Sequence, residues 1–486
     1  MTPYASIASL PFFNASAGCY PLELLAAITR HEGFDVWPEY SYIDFALEYL
    51  APGEAAHLYY QCANVPNVAD AVLCPLLSGW DERRDRERLS FLARNGIDAG
   101  AADRLLTAFD RHLDAVADRI GASRIVALTA THYQLLPSLL LAQRLRRAGS
   151  AARVAVGGYF GSLATARDIM VEHGGCLDIL VYGEAEDVWP RILADPDGVH
   201  GVVRGGSTSF GRHLPTHDEV LDKVAGTWLA DKFVVSLEHT RGCYWDVCDF
   251  CNFNAGYDGI MKKVPSQDIF DSMAAAARTH GPGRFQFIDT ALPRSFGRDV
   301  EDHGVEADYE FFAELRAEWS RRDLERLSHL GRPTLQIGIE AVSDDYLRAM
   351  KKNATVEQNI AVLRHCRDLG IEVKWGLMIG HPYETEAMLA ETLRFLQDPP
   401  DVVPPAYITM CEIRPGSVLW RDRDSFGFDV RFPTRFLDHF LAPRLENCNF
   451  LPAVVSTRHE PRSVTYREIS RLVDEWRLRD RARQPA

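Results

Sequence analysis

Apolar residues along this chain alternate between short unbroken runs and stretches spaced three or four apart. The runs read as buried strands and the spaced stretches as helices. In the first third, 4–13 reads as a strand and 21–31 as a helix through Leu22, Leu24, Leu25 and Ile28. Leu106, Phe109, Leu113, Val116 and Ile120 mark one face of a long helix. Residues 124–130, 152–156 and 178–182 read as strands, with a helix over 137–147. Strand, helix, strand at this pitch predicts a parallel doubly wound sheet.

Residues 201–231 show little periodicity and hold Gly201, Gly205, Gly206, Gly211 and Pro215, so they read as a connector. A second α/β series follows. Its strands are expected over 233–238, 285–289, 334–339, 373–379 and 407–413, and its helices over 268–280, 309–318, 356–369 and 386–396. Repeated β/α units predict a full or partial barrel. After 426 the pattern is irregular and then helical, with Ile469, Leu472, Val473 and Trp476 on one stripe. The expected division is 1–200, a connector over 201–231, a barrel over 232–425 and a small helical C-terminal cap over 426–486.

Composition narrows the class. The chain has 486 residues, 47% apolar and 25% charged, so it can bury more than one core. Lys plus Arg is 53 against 68 for Asp plus Glu, a formal charge of −15. That balance argues against a nucleic-acid or anionic-lipid surface. After position 457 eight arginines face five acids, which reads as a solvated capping helix. The N-terminal MTPYASIASLPFF has no positive region ahead of an apolar core. No run approaches the ~20 apolar residues of a membrane span. The expected location is the cytoplasm, with no membrane partner.

Of ten cysteines, seven are scattered and read as small buried hydrophobes: Cys19, Cys62, Cys74, Cys176, Cys366, Cys411 and Cys448. Three are clustered. Cys243, Cys248 and Cys251 lie within nine residues, directly after the strand FVVSLE. The C-terminal end of a barrel strand is where barrels carry chemistry. Three soft ligands on one loop can hold three corners of a cubane iron–sulfur cluster and leave the fourth iron open. Structural zinc with a remote fourth ligand, or inert thiols, are the other readings.

The segment TRGCYWDVCDFC resembles the cluster motif of radical SAM enzymes. The family pattern is Cx3CxxC; here four residues, 244–247, separate the first two cysteines. Phe250 matches the family's aromatic position near the adenine of S-adenosylmethionine. FQFIDT (285–290) resembles the second-strand segment near the cofactor's amino group, with Asp289 as its polar tip; taken alone, an Asp there reads as a helix cap. LQIGIEAVSDDYLRAMKK (335–352) resembles the family's GIES segment, a helix and a basic pair. The resemblance assigns Gly338 to close cofactor approach and Glu340 to ribose or amine. GLMIGHPYET (376–385) resembles GxIxGxPxET on the adenine side, with Gly380 at the base and His381 and Tyr383 toward substrate. CEIRPGSVLW (411–420) resembles the closing strand.

The front third resembles the cobalamin-binding domain ahead of many radical SAM cores. LPFF, LTATHYQ, VAVGGYF and DILVYGEAE occur in that family's order. A corrin tail needs small residues where strand meets loop. Thr129, Gly157 and Gly158 would supply that room, and Gly183 and Glu184 would flank the tail. His132, on the loop after a strand, is a further candidate to face the corrin. The DxHxxG motif of base-off cobalamin proteins is absent from the sequence. Asp110-Arg-His112 comes nearest, but Ala115 replaces the glycine, so His112 reads as a surface helix residue.

The resemblance therefore implies a Rossmann-like cobalamin domain followed by a partial (β/α)6 radical SAM barrel. Its cofactors would be a [4Fe-4S] cluster, S-adenosylmethionine and cobalamin. The implied activity is methylation of an unactivated carbon, through a 5′-deoxyadenosyl radical and methylcobalamin. The layout looks most like radical SAM proteins of ribosomal peptide (RiPP) clusters. That implies a peptide or natural-product substrate and an electron donor such as flavodoxin or ferredoxin. Epimerisation, ring contraction and cyclisation are the alternative outcomes. No side chain is assigned as a general base, because carbon-radical chemistry need not use one.

Overall fold

The structure is a computed structural model. It describes residues 2–50, 54–65, 68–77, 80–130, 133–158, 163–256, 261–281, 283–411, 413, 416–425, 429–431, 454–456 and 463–483. The chain folds as two compact units, one built chiefly on Met1–Val234 and the other chiefly on Val235–Ala255 and Gly259–Asp429.

Six parallel strands form the sheet of the first unit: β1 (Ala5–Ser9), β2 (Val36–Glu39), β3 (Ile125–Ala130), β4 (Arg153–Gly158), β5 (Ile179–Tyr182) and β6 (Gly201–Arg204). Their order is β2-β1-β3-β4-β5-β6. The chain steps one way from β1 to β2 and the other way from β3 onward. The switch point lies between β1 and β3, where open sheets of this kind bind ligands. β1 and β3 are buried throughout, as strands covered on both faces must be. Gly201–Arg204 was expected to be connector. It is a strand because Val202 and Val203 complete the sheet edge against Leu180 and Val181. Asp218–Val224 in the same stretch is a helix.

The segment between β2 and β3 is helical, ending in Ala99–Ile120, whose start is capped by the Asp98 side chain accepting from the Ala101 N–H. Phe109, Leu113, Val116 and Ile120 face the core as expected. His112 does not face solvent. It lies on the same buried face, 2% exposed, with Nε2 2.7 Å from Ser41 Oγ. Burial pushes its pKa down to about 4, so the ring is neutral.

The second unit is a β/α series. Its strands are β7 (Val235–Leu237), β10 (Arg284–Phe287), β11 (Tyr309–Arg316), β12 (Gly331–Glu340), β13 (Glu372–Ile379) and β14 (Tyr407–Met410). All pair in parallel with their neighbours in chain order, and β7 and β14 are the edges. This is the strand order of a partial (β/α)6 barrel. A small antiparallel pair, β8 (Thr240–Arg241) and β9 (Lys262–Lys263), brackets the cysteine loop.

β11 corrects the sequence reading, which placed a helix over 309–318. Phe311, Ala313 and Leu315 are buried while Phe312 and Glu314 between them are half-exposed, a strand alternation. The pairing runs from Tyr309 opposite Gly331 to Arg316 opposite Gly338. Sheet pairing overrides the helix propensity of Glu, Ala, Leu and Arg.

The C-terminal helix, Ser463–Arg483, is not merely a solvated cap. Ile469, Leu472, Val473 and Trp476 are buried. Trp476 meets Trp375 of β13 and Phe395 edge-on, both at 6.1 Å between ring centroids. No helix of the described residues is long and apolar enough to cross a membrane.

Candidate functional site

The cysteine loop leaves the C-terminal end of β7, and four sets of contacts fix it. At its start the Asp289 carboxylate accepts from the backbone N–H groups of His239 (3.0 Å) and Thr240 (2.6 Å) and from the Thr240 hydroxyl (2.6 Å). Both oxygens of this 2% exposed side chain are thus engaged within the protein. Burial raises its pKa to about 7, against those hydrogen bonds. Glu238 and Arg241 form an ion pair at the same corner, with Arg241 Nε 2.8 Å from Glu238 Oε1.

The second set closes the loop on itself. The Cys243 N–H donates to Asn254 Oδ1 at 2.8 Å, and Asn254 Nδ2 donates to the Cys243 carbonyl at 3.0 Å. The third set holds the four residues between the first two cysteines. Asp246 adopts φ 48°, a left-handed conformation that turns the chain through the longer spacing. Trp245 Nε1 donates to the Lys351 carbonyl at 2.7 Å. The Arg316 guanidinium lies 5.7 Å from the Tyr244 ring and 5.4 Å from the Trp245 ring.

The fourth set reaches the loop between the second and third cysteines. Asp249 Oδ1 lies 2.9 Å from His381 Nε2, and the two side chains are 2% and 0% exposed. The Tyr383 N–H donates to His381 Nδ1 at 3.3 Å, so Nε2 carries the hydrogen given to Asp249. His381 therefore supports the cluster loop, where the sequence reading turned it toward substrate. Tyr383 is 49% exposed. Phe250 packs on Ala341, Tyr346, Leu347 and Met350.

Beside the loop sits a buried charge group. Lys352 Nζ donates to Glu340 Oε1 at 3.0 Å, and Arg316 Nη2 donates to the Lys352 carbonyl at 2.8 Å. Glu340 holds φ 63° at the end of β12. A Cβ on Gly338 would stand 2.8 Å from Lys352 Nζ and 3.1 Å from Glu340 Oε1, so glycine there makes space for this pair. Gly380, at φ 78°, donates its N–H to Glu384 Oε2 at 3.0 Å. Burial raises the Cys248 thiol, opposed by Lys352 and Arg316, and pushes Cys251 up to about 11. Thiols of this kind bind metal by releasing protons.

The donor set suits a cluster. A cubane asks for separate thiolates, one for each corner iron.

The sheet edge of the first unit discriminates among its candidates. Thr129 pairs with Gly157 and Ala130 with Gly158 at the ends of β3 and β4, beside the switch point. A Cβ on Gly158 would lie 1.8 Å from the Ala130 carbonyl oxygen, so the strand pair itself requires that glycine. A Cβ on Gly157 would meet only Val181 Cβ, at 3.9 Å. Among the described residues nothing else limits a side chain at Gly157, which leaves a face where a cofactor tail would fit. Thr129 is 6% exposed, with Oγ1 3.4 Å from the Ala8 carbonyl. Gly183 has φ 93°, and Glu184 accepts a hydrogen bond from Ser207. His132 lies outside the described residues.

Sequence reasoning did not find Arg316, Asp249 or Glu384. Asp249 carried one signal, an acid between two candidate ligands, but its partner lies 132 positions away.

Residues 237–396 match the family model of the radical SAM superfamily. A hopanoid C-3 methylase of Methylococcus capsulatus is 26% identical over 315 residues, which cover 58% of each chain. This chain thus spans little more than half the length of that relative. Among solved structures, OxsB, a cobalamin-dependent S-adenosylmethionine radical enzyme, superposes over 96% of this chain and 66% of its own, at TM-score 0.64 and 13% identity. TsrM from Kitasatospora setae, a radical S-adenosylmethionine methyltransferase, superposes over 97% and 91%, at TM-score 0.61 and 12% identity. Residues 237–396 are thus similar to radical SAM domains, within a chain whose fold OxsB and TsrM share.

Proposed function

We propose that this chain is a cobalamin-dependent radical SAM methyltransferase acting on an unactivated carbon of a peptide or natural-product intermediate. One observation carries the reading. The three-thiol loop stands at the C-terminal end of the first strand of a β/α series, held in place by Asp289, Asn254, Arg316 and His381.

Cys243, Cys248 and Cys251 would hold a [4Fe-4S] cluster. Phe250, Gly338, Glu340 and Gly380 would receive S-adenosylmethionine. Asp289, fully engaged by the loop, serves by shaping it. Thr129, Gly157, Gly158, Gly183 and Glu184 would border the tail of cobalamin, with the free space at Gly157. OxsB has been solved with aqua-cobalamin and S-adenosylmethionine, and TsrM with cobalamin and a [4Fe-4S] cluster, which supports this assignment. Together these groups supply a carbon-centred radical and a methyl group. The protein's own part is to position and to exclude water. Phe250, packed with Tyr346, Leu347 and Met350, gives the loop a dry wall. Lys352 and Arg316 place buried positive charge beside Cys248. A small reducing protein of the flavodoxin or ferredoxin kind would be the partner, in the cytoplasm.

The test is product analysis under anaerobic reduction, with S-adenosylmethionine carrying a labelled methyl group and candidate peptides. The reading expects 5′-deoxyadenosine and S-adenosylhomocysteine together, and the label in the product. 5′-Deoxyadenosine alone, with product mass unchanged or lowered, would replace it with epimerisation, ring contraction or cyclisation.

A further inference from the structure

The inner face of the barrel carries polar groups that the cluster and its support leave unused. On β11, Arg316 and Glu314 share a face, opposite the buried Phe311, Ala313 and Leu315. Arg316 reaches the cysteine loop, so this is the site side of the sheet. Glu314 pairs in register with Gln336 of β12, two residues before Gly338. Tyr407 of β14 lies across Gly376, where an added Cβ would stand 2.0 Å from its ring. Glycine at 376 therefore lets the tyrosine ring lie over the sheet. Glu314 and Glu340 are both within electrostatic reach of Tyr407, and Glu340 of Glu314.

Among the described residues, the Glu314 carboxylate makes no hydrogen bond or ion pair, although Lys352 is within electrostatic reach. Lys352 is committed to Glu340. The Gln336 amide and the Tyr407 hydroxyl also make no hydrogen bond to a described residue. Arg316 on the same face is paired with Glu318 and Lys352 with Glu340, and Lys374, in register with Gln336, is exposed, so Glu314 is the carboxylate here without an ion pair among the described residues. Burial, with Glu340 beside it, raises the Glu314 pKa to about 7, and a cationic ligand would restore its charge.

We propose that Glu314, Gln336 and Tyr407 form a substrate subsite for a cationic hydrogen-bond donor, an amine or a guanidinium. Glu314 takes the charge and two N–H bonds, Gln336 takes a further N–H through its carbonyl oxygen, and the Tyr407 ring offers its face to the cation. The assignment rests on the radical SAM reading for the reaction and deepens it on the substrate. A purely hydrocarbon ring system here would bury Glu314 and Gln336 without partners, which is costly. The subsite thus separates this chain's substrate class from a hopanoid skeleton.

The full chain with its cluster rebuilt and S-adenosylmethionine bound is titrated with n-butylguanidinium and with n-butylurea, its neutral near-isostere. Wild type is expected to bind the guanidinium about tenfold tighter than the urea. Glu314→Gln should abolish that preference while keeping iron content, circular dichroism and affinity for S-adenosylmethionine. Gln336→Leu should weaken the guanidinium and leave S-adenosylmethionine unaffected. Equal binding of the two probes by wild type overturns the proposal, as does a preference that survives Glu314→Gln. A matching loss of S-adenosylmethionine affinity in Glu314→Gln also overturns it, because the carboxylate then serves the cofactor's own amine. If wild type takes up neither iron nor S-adenosylmethionine, the functional reading fails. The probe preference, measured on the same chain, still decides the subsite.

Discussion

His381 and Asp249 are joined across 132 positions by a buried 2.9 Å hydrogen bond, and Asp249 lies between two of the three loop cysteines. The Asp249 backbone is held as well: its N–H donates to the Met350 carbonyl at 3.3 Å and its carbonyl accepts from the Leu419 N–H at 2.9 Å. One residue thus ties the loop to the segment after β13, to the helix after β12 and to the start of the helix Val418–Arg421. Its side chain is spent on position and is not free to act as a fourth ligand.

Removing one partner of a buried hydrogen bond leaves the other unsatisfied, at about 1–3 kcal/mol. His381→Ala should therefore lower the iron retained per chain and shift the electron paramagnetic resonance signal of the reduced cluster. His381→Gln, which can still donate to Asp249, should restore part of both. Full iron and an unchanged signal in His381→Ala would remove this role.

Asp289→Asn makes a second test of the loop. The carboxylate accepts three hydrogen bonds, from His239 and Thr240. An amide offers one acceptor oxygen and turns an N–H₂ toward a donor. The expected result is a loop weakened by about 1–3 kcal/mol, read as faster iron loss to a chelator, with far-ultraviolet circular dichroism unchanged. Chelation at the wild-type rate would contradict it.

Gly157 and Gly158 are neighbours with opposite predictions. Gly158→Ala places a methyl against the Ala130 carbonyl, so it should reduce soluble yield and melting temperature. Gly157→Leu adds a Cβ that meets only Val181 Cβ among the described residues, so stability should change far less than in Gly158→Ala while corrinoid binding is lost. Corrinoid uptake unimpaired by Gly157→Leu would mean the tail lies elsewhere.

Asp70 gives a pH prediction. It is buried in the first unit with Oδ1 unpartnered, and burial raises its pKa to about 8. In the unfolded chain it titrates near 4, at about 3.9. Between roughly pH 4 and pH 8 the folded chain keeps a proton that the unfolded chain has released, so stability falls as pH rises through that window. Asp70→Asn removes this loss. Its melting temperature should match wild type near pH 4 and exceed it by several degrees near pH 8. A difference independent of pH would show that Asp70 is not buried as a neutral acid.

Much of the site was legible because its chemistry is local in the chain. Three cysteines within nine residues announce themselves through spacing, whereas Gly338, Glu340 and Gly380 enter through the resemblance to the GIES and GxIxGxPxET segments. What escaped were pairings that exist only after folding. Folding brings the segment after β13 and the end of β11 to the cysteine loop, where His381 meets Asp249 and Arg316 meets Trp245. The strand Tyr309–Arg316 was misread because YEFFAELR has helix-forming residues and no breaker; only its neighbours on both sides impose the extended form. His112 was misread for the opposite reason. Its position falls on the Phe109–Val116 face, but a polar residue in an apolar stripe was assigned outward, and its partner Ser41 lies 71 positions away.

The central claim is that a cluster-bearing barrel and a cobalamin-binding sheet share this chain. The most direct measurement is iron and corrinoid per chain, on protein made anaerobically with cobalamin supplied and its cluster rebuilt. The account predicts about four irons and one corrinoid, with iron and the electron paramagnetic resonance signal lost together in Cys248→Ala while corrinoid stays. About four irons and no corrinoid would contradict it, and would leave the first unit a sheet that binds something else.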